Sequence, residues 1–169
     1  MRAQPYHSGL SHSPEEKFQR TYYSEIVGYP TEKVTMSLSL RLEVRKTYLY
    51  AMVDGVFTLP EADRLFVRIL DSCLEQGQSK VLVDYRSIRG SPPTTDVFLY
   101  GKFIALAYSS FAVKGLPPVK FAYVGNPPFA SPHGVAEAAA VSRALDLFVT
   151  TDFDEALEWL GIAAPKAAK

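Results

Sequence analysis

At 169 residues, 47% hydrophobic and 21% charged, the chain holds enough sequence for one globular domain with tails and too little for two full domains. Its 18 Lys and Arg cancel its 18 Asp and Glu, so it lacks the basic excess that phosphate backbones or anionic membranes attract, and nucleic acid is not the expected partner. The single cysteine, Cys73, rules out an intrachain disulfide and a cysteine-built zinc cage, which fits a reducing cytoplasm.

The opening MRAQPYHSGLSHSPEEK is too polar for the apolar stretch of a signal peptide. No run reaches the about 20 apolar residues of a membrane span. The nearest, Val97 to Val113, is broken by Lys102, Ser109 and Ser110. Residues 1–36 mix prolines, histidines and tyrosines with no sustained period and read as a polar extension, 37–162 as the folded domain and 163–169 as a tail. Tyr22, Tyr23 and Ile26 of the extension are candidates to cover the outer apolar stripe of the long helix between Thr94 and Val113.

From Ser37 the period changes. Leu38, Leu40, Leu42 and Val44 alternate with polar residues, as in a half-buried strand, and Tyr48 to Val53 is its hairpin partner. Thr58 and Glu61 have capping-box spacing with Pro60 in the first turn. They open a helix whose stripe is Ala62, Leu65, Phe66, Ile69, Leu70, Cys73 and Leu74, stopped by Gly77. Cys73 lies on that stripe with no cation or helix start beside it, so a buried, inert thiol is expected.

Lys80 to Tyr85 has the continuous apolar form of a strand buried on both faces, followed by a polar loop. A helix from Thr94 to Val113 and a strand from Val119 to Val124 come next. Ser131-Pro132 can open an alanine-rich helix, Gly134 to Leu145, before a short strand, Leu147 to Thr150. Asp152 and Glu155 then cap a last helix carrying Phe153, Ala156, Leu157, Trp159 and Leu160. The order β-β-α-β-α-β-α-β-α is that of an α/β domain.

The hairpin ending VDGVF, the stretch KVLVDYRSIRG, the strand KFAYVG and the ending FDEALEWL, in this order, resemble the SpoIIAA-like group of STAS domains, also labelled STAS/SEC14. The resemblance runs over residues 38–161. It implies an α/β fold, a SpoIIAA-like (β/α) superhelix: a mixed sheet of about five strands in sequence order, an antiparallel edge strand from the N-terminal hairpin, and about four helices. It also implies a kinase-phosphorylated serine in an Asp-Ser-x-Gly turn after the strand ending in Asp. Asp84 matches the strand-end Asp, but the later segment reads RGSPPTTD and lacks the motif; Ser91, Thr94 and Thr95 lie near its place. A phosphate there would still be favoured at a helix start.

Two regions are candidate partner or ligand surfaces. Asp84, Tyr85, Arg86 and Ser87 leave the end of a central strand, where open α/β sheets meet ligands. Asp84 as acid or base with Arg86 as anion clamp is weighed against Asp84 shaping the loop through backbone N–H bonds with Arg86 paired at the surface, and the second reading is preferred. On the long helix, Val97, Tyr100, Gly101, Ile104, Tyr108 and Phe111 form a stripe for the sheet, and Leu99, Phe103, Leu106 and Val113 form a second one nearly opposite. A helix apolar on two sides needs two burial partners. The extension or a neighbouring helix, a homodimer or other protein partner, and an apolar ligand are the candidates.

The loop Gly125 to Ser131 has no phosphate-binding glycine spacing and reads as a turn. His133 and Glu137 have metal-compatible spacing without a third ligand, so no metal and no cofactor is expected. The SpoIIAA-like resemblance, together with the lack of a catalytic constellation in the spacing, implies a non-enzymatic, cytoplasmic, bacterial regulatory domain that acts by protein contacts. The alternative is a SEC14-like binding protein for a lipid or other small apolar ligand. An enzyme would need Asp84 and Arg86 to converge with Asn126.

Overall fold

A computed structural model describes residues 37–130 and 145–162. The expected extension and tail, the alanine-rich helix up to residue 144 and the His133/Glu137 pair lie outside the described residues.

Strands β1 (Leu38–Val44) and β2 (Leu49–Val56) form the expected antiparallel hairpin. Helix α1 (Leu59–Gln76) leads to β3 (Lys80–Arg89), α2 (Thr94–Val113) to β4 (Lys120–Val124), and β5 (Asp146–Thr150) to α3 (Phe153–Trp159). The sheet runs β1-β2-β3-β4-β5, with β2 to β5 parallel and β1 the antiparallel edge. This is the mixed five-stranded α/β arrangement that the SpoIIAA-like resemblance implies.

Alternation puts one face of each strand inward, but Val44 is 54% exposed instead of buried. It is the last pair of an edge strand before the turn, opposite Leu49, with a neighbour on one side only. In α1 the expected stripe is buried from Ala62 to Cys73, while Leu74, in the last turn, is 40% exposed. Gly77 ends α1 in the left-handed region at φ 63°. Burial pushes the Cys73 thiol up to about 12, so it is inert, as expected.

Thr58 stands at the N-cap of α1, but its hydroxyl donates to the Glu61 carboxylate at 2.7 Å and does not cap the backbone. Glu61 has a further task. It accepts the Ser37 N–H at 2.6 Å and the Ser37 hydroxyl at 2.5 Å, tying the start of β1 to the start of α1. Burial alone would raise the Glu61 pKa, but the bonds from Ser37, Thr58 and the Leu38 amide outweigh it and hold the carboxyl below its ordinary value.

Helices α1 and α2 pack on one sheet face over an aromatic core. Phe66 meets Phe121 and Tyr100 at centroid distances of 5.6 and 6.5 Å, and Tyr108 meets Phe121 edge-on at 5.8 Å. On the other face α3 buries Ala156, Leu157 and Leu160 against Leu82, Ala122 and Val124. Asp152 caps α3 as its spacing predicts, accepting the N–H groups of Asp154 and Glu155 at 2.8 and 3.1 Å.

Helix α2 corrects one expectation about membrane spans. With 20 residues it is long and apolar enough, by length and composition alone, to cross a membrane. Its Val97, Tyr100, Ile104 and Tyr108 are buried in the domain, so it is read as a core helix.

Candidate functional site

Helix α2 is held by one stripe and shows another. Val97, Tyr100, Gly101, Ile104, Tyr108 and Phe111 are all buried, as the wheel predicts. Three hydrogen bonds fasten it: Tyr100 Oη lies 2.8 Å from Tyr85 Oη and 3.2 Å from Tyr123 Oη, while Tyr108 Oη accepts the Val119 N–H at 3.0 Å. Of the second stripe, Leu99, Leu106 and Val113 are 49%, 66% and 90% exposed. Phe103 is buried at 9%, which removes it from the exposed stripe. It lies about 40° from Leu99 toward the covered side.

The second candidate region departs further from expectation. β3 does not end at Tyr85 but continues to Arg89, pairing with β2 past a register shift between Met52 and Asp54. Asp84 to Ser87 therefore lie inside a strand and not in a loop. Alternation separates them: Tyr85 turns to the aromatic core and is fully buried, while Asp84 and Arg86 share the opposite face. Tyr85 is stacked on Phe129 at 4.9 Å and on Tyr123 at 5.7 Å, so it offers no surface to a partner. Ser87 is exposed.

Asp84 is 8% exposed and saturated. Its Oδ1 accepts Arg86 N–H at 3.0 Å and Nε at 2.9 Å; its Oδ2 accepts Arg86 Nη2 and Tyr50 Oη, both at 2.7 Å. The guanidinium rests on the Phe153 ring at 4.6 Å. Burial disfavours the Asp84 carboxylate, but the Arg86 and Tyr50 bonds prevail and lower its pKa. Burial and the same carboxylate push Tyr50 up to about 12. The arrangement fits the loop-and-pair reading of Asp84 in its chemistry, transferred from a loop to a strand face. Tyr50 and Phe153 were not singled out in the sequence, although alternation places Tyr50 opposite Ala51 and thus on the Asp84 side.

A third polar feature has no sequence signal. Asp63 of α1 is 2% exposed, and its Oδ1 has no hydrogen-bond partner among the described residues. Burial pushes it up to about 8, against a smaller opposing effect of Arg64. Among the candidate phosphate sites, Ser91, Thr94 and Thr95 are all exposed, the two threonines in the first turn of α2. In the Gly125 loop, as far as Ala130, Asn126 C=O accepts the Phe129 N–H at 3.0 Å and the buried Phe129 ring anchors the turn. Among the described residues no three His, Cys, Asp or Glu side chains are grouped to hold a metal.

No protein-family model matches the sequence, and no curated protein matches it. Among solved structures the chain is similar to the crystal structure of an anti-sigma factor antagonist from Mycobacterium paratuberculosis, with a TM-score of 0.49 and 15% identity over 74% of this chain and 95% of that chain.

Proposed function

We propose that residues 37–162 form a non-catalytic, cytoplasmic regulatory domain of the SpoIIAA-like STAS kind that works through protein contacts. The observation that carries this reading is the outer stripe of α2, where Leu99, Leu106 and Val113 are exposed on a helix whose other side is locked into the core. Large apolar side chains in line on a rigid helix are a surface for another protein.

The polar site supports a non-enzymatic role. All the acceptor capacity that Asp84 points at its neighbours is taken by Arg86 and Tyr50, and a carboxyl held below its ordinary pKa is a weak base near neutrality. Ser91, Thr94 and Thr95 are the places where a kinase could act on the domain, since a phosphate there would sit at or before the start of α2.

Native mass spectrometry of the chain purified from its own host tests the reading. The expected spectrum is a protein complex, homomeric or heteromeric, that disappears with Leu106→Asp. A monomer carrying an adduct of lipid mass would overturn it in favour of an apolar-ligand carrier.

A further inference from the structure

The outer stripe of α2 has a geometry that selects its occupant. Leu99, Leu106 and Val113 are spaced by seven residues, so they drift by only about 20° per heptad along the helix and form a straight seam. With one apolar residue per heptad it is narrower than a coiled-coil seam, and a second helix lying along it covers all three. Two charges flank it: at about 100° per residue, Asp96 and Lys114 both lie about 60° to the same side of Leu99. Within one copy they are separated by about 27 Å of helix and cannot meet. Their midpoint in sequence is residue 105, next to Leu106, which is itself the midpoint of Leu99 and Val113.

We propose, resting on the protein-contact reading above, that two copies of this chain pair through α2, antiparallel about a two-fold axis at Leu106. In that register Leu106 meets Leu106 and Leu99 meets Val113. Asp96 of each copy comes beside Lys114 of the other, twice over. On the opposite flank Lys102 of one copy comes opposite Ser109 of the other, whose hydroxyl donates to the Ala105 carbonyl and keeps lone pairs for it. Antiparallel helix dipoles add to the attraction. A parallel pair would put the two Asp96 at one height on opposite edges of the seam, and the two Lys114 likewise, so that neither charge meets an opposite one. The charges therefore choose the antiparallel form.

Sedimentation velocity on the full-length chain tests this. The wild type sediments as a dimer and Leu106→Asp as a folded monomer. Asp96→Lys and Lys114→Asp each weaken dimerisation by about tenfold or more, because each change makes two repulsions, and the double variant Asp96→Lys/Lys114→Asp restores it. Leu106→Cys gives an independent readout: on oxidation it links to itself across the axis. Leu99→Cys does not, since the two positions lie about 21 Å apart in the antiparallel register. A monomeric wild type overturns the self-pairing. If the chain from its host then still carries another protein on this stripe, the contact reading stands without it. A dimer indifferent to Leu106→Asp, or a charge swap that fails to restore pairing, also overturns it.

Discussion

Arg86 closes on Asp84 from two residues along the same strand, Nε to Oδ1 at 2.9 Å and Nη2 to Oδ2 at 2.7 Å, and brings its own backbone N–H at 3.0 Å to the same carboxylate. A strand normally leaves side chains at this spacing parallel and apart. Here the long arginine folds back over the short aspartate, with Phe153 beneath it as a floor.

Removing the aspartate breaks every part of that pair. Asp84→Ala and Asp84→Asn are both expected to lower stability by about 2 kcal/mol, because a half-exposed guanidinium and the Tyr50 hydroxyl lose a charged acceptor. Denaturant unfolding measures the loss. If Asp84 instead served chemistry, the variants would keep their midpoint.

Tyr100 stands between two other buried hydroxyls, and its own hydroxyl links those of Tyr85 and Tyr123. Tyr100→Phe keeps the ring contacts with Phe57 and Phe66 and strands both partners. A loss of about 2 kcal/mol is expected, more than Tyr123→Phe would cost, since the latter leaves Tyr100 bonded to Tyr85. Thermal unfolding of the two variants side by side settles the order.

The periodic signals in the sequence reach the elements and stop at their ends. Period two located β1 and β2, and the Thr58, Gly77 and Asp152 signals placed helix boundaries, because these features are local. The length of β3 was not local: Arg86 to Arg89 are polar, yet β2 extends beside them as a pairing template, so the strand continues where the apolar run ends. For the same reason Asp84 to Ser87 read as one loop site, although the strand sends Tyr85 to one face and Asp84 and Arg86 to the other. Glu61 and Asp63 gave no signal of burial. What buries Glu61 is Ser37, 24 residues away.

Gly55 marks another long-range demand. Its φ is +128°, and a Cβ there would stand 2.0 Å from the Ser37 carbonyl oxygen. That carbonyl accepts the Val56 N–H at 3.0 Å, so the backbone cannot yield without opening the β1 end of the hairpin. Gly55→Ala is expected to cost about 3 kcal/mol or more through strain and clash together. Gly90→Ala, at φ +82° with open space around it, should lose only the conformational part, about 1 kcal/mol. Equal losses at the two sites would refute the steric account.

Asp63 sets a slope of stability against pH. Its folded pKa is raised to about 8 by burial, while an unfolded aspartate titrates near about 3.9. The folded state therefore binds more protons than the unfolded state across that interval, and stability falls as pH rises from about 4 toward 8. The depressed carboxyls, Asp84 and Glu61, act with the opposite sign: their contribution is present above the ordinary carboxylate range and is lost as pH falls through their lowered folded values. Asp63→Asn removes the first effect and leaves the second. Its melting temperature relative to the wild type should thus climb steadily from pH 4 to pH 8 and level off beyond, and a difference independent of pH would show that Asp63 ionises in the core as it does in water.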